Sequence, residues 1–168
     1  RLVFAETHAK EAHALRALAA RQKLVSVLET DGYAAVKAHL PPRENRGLVL
    51  MDPPYESDLE FDSVLAALET GHARWPTGTF CIWYPLTERA APLRFRRNLE
   101  RAGIPKVLSC TLSVMPDDTP VGMRGSGLVI VNPPWLLDER LGELLPDLHR
   151  LLVPDGSGGT SVEWWVGE

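Results

Sequence analysis

Gly47-Leu48-Val49-Leu50-Met51-Asp52-Pro53-Pro54-Tyr55-Glu56 is the stretch that decides the fold of this 168-residue chain. Its first five residues are an unbroken apolar run, the pattern of a central strand buried on both faces of a parallel sheet. The run ends on an acid and two prolines, which cannot donate to a strand ladder, so the strand stops there and the chain turns. On either side, short apolar runs alternate with helical spacing, which predicts an α/β fold. Upstream, Leu2-Val3-Phe4-Ala5 reads as a strand ending at Glu6, and residues 9–22 as a helix with Ala12, Leu15, Ala19 and Gln22 on one face. Leu24 to Leu28 is a second strand ending near Asp31-Gly32, followed by a short helix to Leu40 and a Pro41-Pro42 loop. Downstream, Phe61, Val64, Leu65, Leu68, His72 and Trp75 keep a helical period. Thr79 to Tyr84 is a strand, and residues 88–102 a helix stopped by Gly103. Val107 to Val114 and Gly127 to Val131 flank a turn-rich connection and predict an antiparallel hairpin. A last helix is expected over roughly 137–152 with a kink at Pro146, and Thr160 to Val166 as an edge strand.

Composition excludes several classes. With 45% apolar and 24% charged residues the chain is that of an ordinary globular domain, one rather than two at this length. No apolar run reaches the ~18 residues of a membrane span, and the opening RLVFAETHAK lacks a secretory pattern. Cys81 and Cys110 lie singly in apolar segments and read as buried thiols; with His8, His13, His39, His72 and His149 scattered, no zinc site is expected. A reducing cytoplasm and a monomer are the expectation. The net charge of −4 is unusual for a protein that binds phosphates, but local distribution outweighs the total.

The decisive stretch has an echo: Gly127 to Leu136 reads GLVIVNPPWL, again an apolar strand, then Asn132, two prolines and an aromatic. Enzymes that methylate the exocyclic amino groups of bases use this pattern, and the chemistry explains it. The amine lone pair is delocalised into the ring. A carboxylate and a backbone carbonyl on its two hydrogens return electron density to nitrogen and can accept a proton. Pro53 and Pro54 fix the carbonyl direction, and Tyr55 is suited to stack on a flipped base, worth about 1–3 kcal/mol. Ligands in open α/β sheets sit beyond the carboxyl ends of parallel strands, which favours Asp52. Asn132 ends an antiparallel strand, so its segment reads as a strand stop with a packed Trp135. Glu6 and Asp31 also end strands at the favoured edge. Glu6 is placed to accept from the ribose hydroxyls of a nucleoside cofactor, and Asp31, beside the compact Gly32, to meet its adenine edge. Taken singly, each is equally a helix cap or turn residue.

The stretches LPPRENRGLVLMDPPYE, TGTFCIWYP, GIPKVL, MRGSGLVIVNPPW and LVPDGSGG closely resemble the RlmJ family, bacterial 23S ribosomal RNA adenine-N6 methyltransferases earlier linked to competence. The resemblance runs over essentially the whole chain. It implies a Rossmann-like methyltransferase fold, S-adenosylmethionine as donor, 23S ribosomal RNA as partner, and Asp52 as the residue that engages the target amino group. It also implies cofactor contacts from Glu6, Asp31, Gly32 and Asp52. Family members carry roughly a hundred further residues before the point matching Arg1, a typical share of such a domain. The expectation is therefore a single domain over 1–168, N-terminally truncated, lacking its first strand and cofactor loop and ending in an antiparallel hairpin. That strand would lie between the Glu6 and Asp52 strands.

Around this site the sequence offers weaker signals. Arg89, Arg94, Arg96, Arg97, Arg101 and Lys106 form the densest basic stretch, readable as phosphate contacts or, since Glu88 and Glu100 interleave, as a solvated helix face. Residues Met123 to Ser126 are a further substrate-side candidate, and Trp83-Tyr84 reads as core. The rival functions are a DNA adenine or cytosine amino methyltransferase, an inactive nucleic-acid-binding fragment, and a nuclease, which would need clustered acids around a metal.

Overall fold

The computed structural model describes residues 1–57, 59–87, 90–116, 119 and 122–167. The chain runs β1 (Leu2–Glu6), α1 (Ala9–Ala19), β2 (Val25–Glu29), α2 (Gly32–His39), β3 (Leu48–Met51), α3 (Glu60–Arg74), β4 (Thr79–Leu86), α4 (Ala90–Arg101), β5 (Val107–Ser113), β6 (Gly125–Val131), α5 (Leu137–Leu152) and β7 (Gly159–Val166). Strands and helices alternate until β5, where the order changes to a hairpin, so the architecture is mixed α/β as the patterning predicts.

The strands form two sheets. β1 and β2 pair in parallel, with Glu6 opposite Glu29. The other five run in the order β3-β4-β6-β5-β7, with β3–β4 parallel and the remaining pairs antiparallel. The sequence reading of β5–β6 as an antiparallel hairpin is thus correct. β3, by contrast, is not buried on both faces. It is the edge of the larger sheet, and Leu48 and Leu50 are each 63% exposed. Among the described residues no strand pairs with the outer edge of β3 or of β1. The apolar run asks for cover on two sides, and these residues supply it on one.

The core lies between the larger sheet and the α2–α3–α4 layer. Phe80, Ile82 and Tyr84 alternate along β4 toward that layer, where Phe61, Val64 and Leu68 of α3 and Phe95 and Leu99 of α4 meet them. Phe61 and Phe95 join the two helices, their ring centroids 5.4 Å apart. Burying each such ring stabilises by about 1.5–3 kcal/mol, so Phe95→Ala would be among the most damaging single changes, at about 3–5 kcal/mol. On β7, Trp165 faces Phe95 and Tyr84 while the adjacent Trp164 turns the other way and donates from Nε1 to Asp138 Oδ2 at 2.9 Å. That alternation puts α5 on the opposite face from α4. α5 leaves Leu144, Leu151 and Leu152 largely exposed.

One local difference from the sequence reading has a simple cause. α1 ends at Ala19, not residue 22, because the Gln22 amide donates to the Ala19 carbonyl at 2.8 Å and closes a tight turn. α5 covers Leu137–Leu152 as expected and includes Pro146, an exposed position where water can serve the carbonyl its missing N–H would have met.

Candidate active site

Asp52 follows buried Met51 at the carboxyl end of β3, and its side chain is exposed. Among the described residues no donor reaches its carboxylate. Pro53 and Pro54 carry the chain off the sheet to Tyr55, whose φ of 49° lies in the left-handed region. A non-glycine residue there costs about 1–2 kcal/mol, so something must hold it. The hold is visible: Tyr55 Oη donates to the Trp83 carbonyl at 2.7 Å, and its ring lies 4.7 Å from that of Phe61 and 6.0 Å from that of Trp83. The ring remains half-buried, not enclosed. Burial, and then the charges of Glu60 and Asp52, push the Tyr55 phenol well above its ordinary range.

Glu6 and Asp31 share the carboxyl edge of the β1–β2 pair. Glu6 is half-buried and its Oε1 accepts from the His8 amide at 2.8 Å. Asp31 caps α2, with Oδ1 accepting from the Tyr33 amide at 3.1 Å and Oδ2 from the Ala34 amide at 3.2 Å. A carboxylate has about four acceptor positions, so both acids keep capacity for a ligand. A Cβ built on Gly32 would meet nothing within 4 Å, so the space beside it is open.

The groups around Asp31 and Asp52 are joined by residues the sequence did not single out. Tyr33 Oη and Glu60 Oε1 make a short hydrogen bond between α2 and α3. Burial pushes the Tyr33 phenol upward; the Glu60 hydrogen bond and charge, then Tyr55 and Asp31, add to the shift. Asp31, Tyr33, Glu60, Tyr55 and Asp52 therefore stand within electrostatic reach of one another in a chain. Glu6 is not part of it. Tyr33 and Glu60 are 27 residues apart, and no periodicity links them.

The echo segment folds differently. β6 runs antiparallel to β4, with Val131 opposite Phe80, so Asn132 emerges at the edge opposite Asp52. Asn132 has a φ of 51°, which asparagine tolerates. Its Nδ2 donates to the carbonyls of Pro76 and Gly78, both at 2.8 Å, and its own carbonyl accepts from Thr79 Oγ1 at 2.9 Å. Asn132 is a structural tie, as its strand direction suggested. Trp135 is not packed, however: it is 86% exposed. The Leu137 amide donates to the Pro134 carbonyl, which puts Trp135 at the tip of a turn.

Other candidates fall away from the site. Arg96 pairs with Glu100 and Glu163, each at 2.9 Å, and lies 5.5 Å over the Trp165 ring, so it fastens α4 to β7. Arg97 donates to the Leu93 carbonyl, while Arg89 and Glu88 lie outside the described residues. Arg124 is buried, and Gly125 and Ser126 belong to β6, leaving Met123 exposed. Tyr84 is core, as expected, and Cys110 is buried; Cys81 is half-buried, with its thiol pushed up to about 11 by burial. An open groove lined by Arg16, Glu29, Thr30 and His39 includes none of the site acids. Among the described residues no group of three or more His, Cys, Asp or Glu side chains is placed to hold a metal, and no helix is long and apolar enough to cross a membrane.

A mixed sheet with helices on both faces and an acid-Pro-Pro-aromatic turn at the end of a parallel strand describes a methyltransferase-like domain. The family model described as "Ribosomal RNA large subunit methyltransferase D, RlmJ" matches residues 1–166, and the chain belongs to that family. It is 44% identical over 164 residues to the ribosomal RNA large subunit methyltransferase J of Haemophilus influenzae, covering 98% of this chain and 58% of that protein. The Escherichia coli protein of the same name is 38% identical over 167 residues, covering 99% of this chain and 60% of the relative. The crystal structure of protein LPL1258 from Legionella pneumophila superposes with a TM-score of 0.89 at 33% identity, over 98% of this chain and 60% of that one. The chain thus spans about three fifths of the length of these relatives.

Proposed function

We propose that the chain carries the amine-binding part of an S-adenosylmethionine-dependent methyltransferase that modifies the N6 amino group of an adenine in 23S ribosomal RNA. The observation that carries this reading is the contrast between Asp52, exposed and unclaimed at a parallel strand end, and Asn132, consumed by two backbone carbonyls. Family membership supports it, as do the names of the Haemophilus influenzae and Escherichia coli relatives.

The residues at the β1–β2 edge suit a nucleoside-bearing donor. Glu6 retains an acceptor for a ribose diol, Asp31 retains acceptors beyond its cap, and Gly32 leaves open space. When bound, S-adenosylmethionine supplies a sulfonium-activated methyl group. Asp52 and the Pro53 carbonyl accept the two amino hydrogens of a flipped adenine, which localises the lone pair on N6. Asp52 is the group placed to take the proton released as nitrogen gains its methyl. Tyr55, pinned at its hydroxyl, offers the fixed half-exposed ring on which the base stacks.

The domain is complete only with a further strand. A parallel strand between β1 and β3 would pair both open edges and cover Leu48 and Leu50. Alone, the 168 residues bind the methyl donor weakly. No membrane is involved, and the protein acts as a cytoplasmic monomer. The test is labelled methyl transfer by the longer polypeptide of the same reading frame onto protein-free 23S ribosomal RNA and onto duplex DNA. RNA-selective N6-methyladenine is expected; transfer to DNA alone, or to neither, would overturn the proposal.

A further inference from the structure

We infer that Tyr33 and Glu60 form a positioning pair that sets the spacing between Asp31, on the cofactor side, and the amine-binding turn from Asp52 to Tyr55. The inference rests on the methyltransferase reading above. Its starting point is that the two halves of the site share no strand ladder: Asp31 follows β2 in one sheet and Asp52 follows β3 in the other. Among the described residues their relative placement therefore comes from helix packing, to which a further strand between β1 and β3 would add. The apolar part of the α2 contact is thin, with Val36 the buried residue of that helix and Leu40 just beyond it.

Two polar ties supplement it, one at each end. At the far end Arg74 Nε donates to the Leu40 carbonyl at 2.7 Å. At the near end Tyr33 Oη donates to Glu60. A hydroxyl-to-carboxylate bond in a partly buried setting is among the stronger hydrogen bonds available, and the phenol ring gives it a fixed reach. The near tie is continuous with the site in both directions. The Tyr33 amide holds Asp31 Oδ1 at 3.1 Å. On the other side Glu60 is followed by Phe61, whose ring lies 4.7 Å from that of Tyr55, and Tyr55 is in turn held by the Trp83 carbonyl. An in-line methyl transfer is sensitive to about 1 Å of misplacement between donor and acceptor, at a cost of up to 10²-fold in rate. A short rigid link between the two half-sites is what that sensitivity demands.

The far tie supplies the control, because it joins the same two helices away from the site. In amide NMR spectra of the chain, Tyr33→Phe and Glu60→Ala should each displace the Asp52 and Tyr55 resonances. Glu60→Gln, whose amide oxygen still accepts from Tyr33, should return them toward their original positions. Arg74→Gln should perturb α2 and α3 without reaching Asp52. In the longer polypeptide, Tyr33→Phe should lower kcat about tenfold with the KM for RNA within twofold, and Glu60→Gln should recover most of the loss. Displacements confined to α2 and α3, or a Tyr33→Phe kcat equal to that of the parent, would overturn the pair. The spectra need no chemistry. An inactive parent polypeptide would therefore count against the functional reading, while resonance shifts at Asp52 would still support the link. Should Tyr33→Phe fail to fold, Glu60→Ala breaks the same bond from the other side.

Discussion

Asp52-Pro53-Pro54-Tyr55 and Asn132-Pro133-Pro134-Trp135 are near copies in sequence and opposites in structure. Each ends an apolar strand with a residue of positive φ at or near the turn, Tyr55 in one and Asn132 in the other. In the first, the polar residue is left free and the aromatic is anchored. In the second, the polar residue is anchored and the aromatic is left free. Strand direction separates them: β3 is parallel to β4 and β6 antiparallel. A motif of this kind becomes a site only where the sheet delivers it to the edge that binds ligands.

The largest expected effect would break the comparison at its functional end. Asp52→Ala in the longer polypeptide should reduce methyl transfer at least ~10²-fold with the melting curve unchanged, since the exposed carboxylate supports nothing else. The reciprocal change, Asn132→Asp, should do the reverse. It removes both donors to Pro76 and Gly78 and sets a carboxylate against two carbonyls, costing about 2–4 kcal/mol in urea unfolding, without creating a second site.

A pH experiment sharpens the contrast further. Folding raises the Tyr33 phenol above its ordinary value of 10.0, so above that pH the unfolded chain sheds a proton the folded chain keeps. Stability from this group is therefore full below pH 10 and falls as pH rises beyond it. Tyr33→Phe should make the alkaline decline in stability shallower, which denaturant titrations at stepped pH would read. The smallest effect is expected at the second aromatic: Trp135→Ala should change stability by no more than ~0.5 kcal/mol, because its ring touches little.

Much of the fold was legible in the sequence because periodicity reports which residues face a core. The spacing from Phe61 to Trp75 located α3 almost to the residue, and the turn-rich connection before Gly127 gave the hairpin. Periodicity does not report what lies beside a strand. Leu48 and Leu50 read as doubly buried because the run is apolar throughout, and both are exposed. Trp135 read as packed because tryptophan usually is, but a local turn carried it outward. In the candidate site, the acids at strand ends could be found from position alone. The Tyr33–Glu60 bond could not, since it depends on how two helices meet.

The open edges of β1 and β3 carry a consequence for handling the protein in solution. An exposed ladder edge is a template for any strand of compatible register, and β1 adds Leu2, Val3 and Phe4, each at least 40% exposed, to that invitation. Chains kept apart will hold their edges hydrated. Concentrated chains will find them in one another, so light scattering should rise with protein concentration and with time. A soluble apolar peptide able to cap the edges should hold it down, acting as a chaperone for this polypeptide.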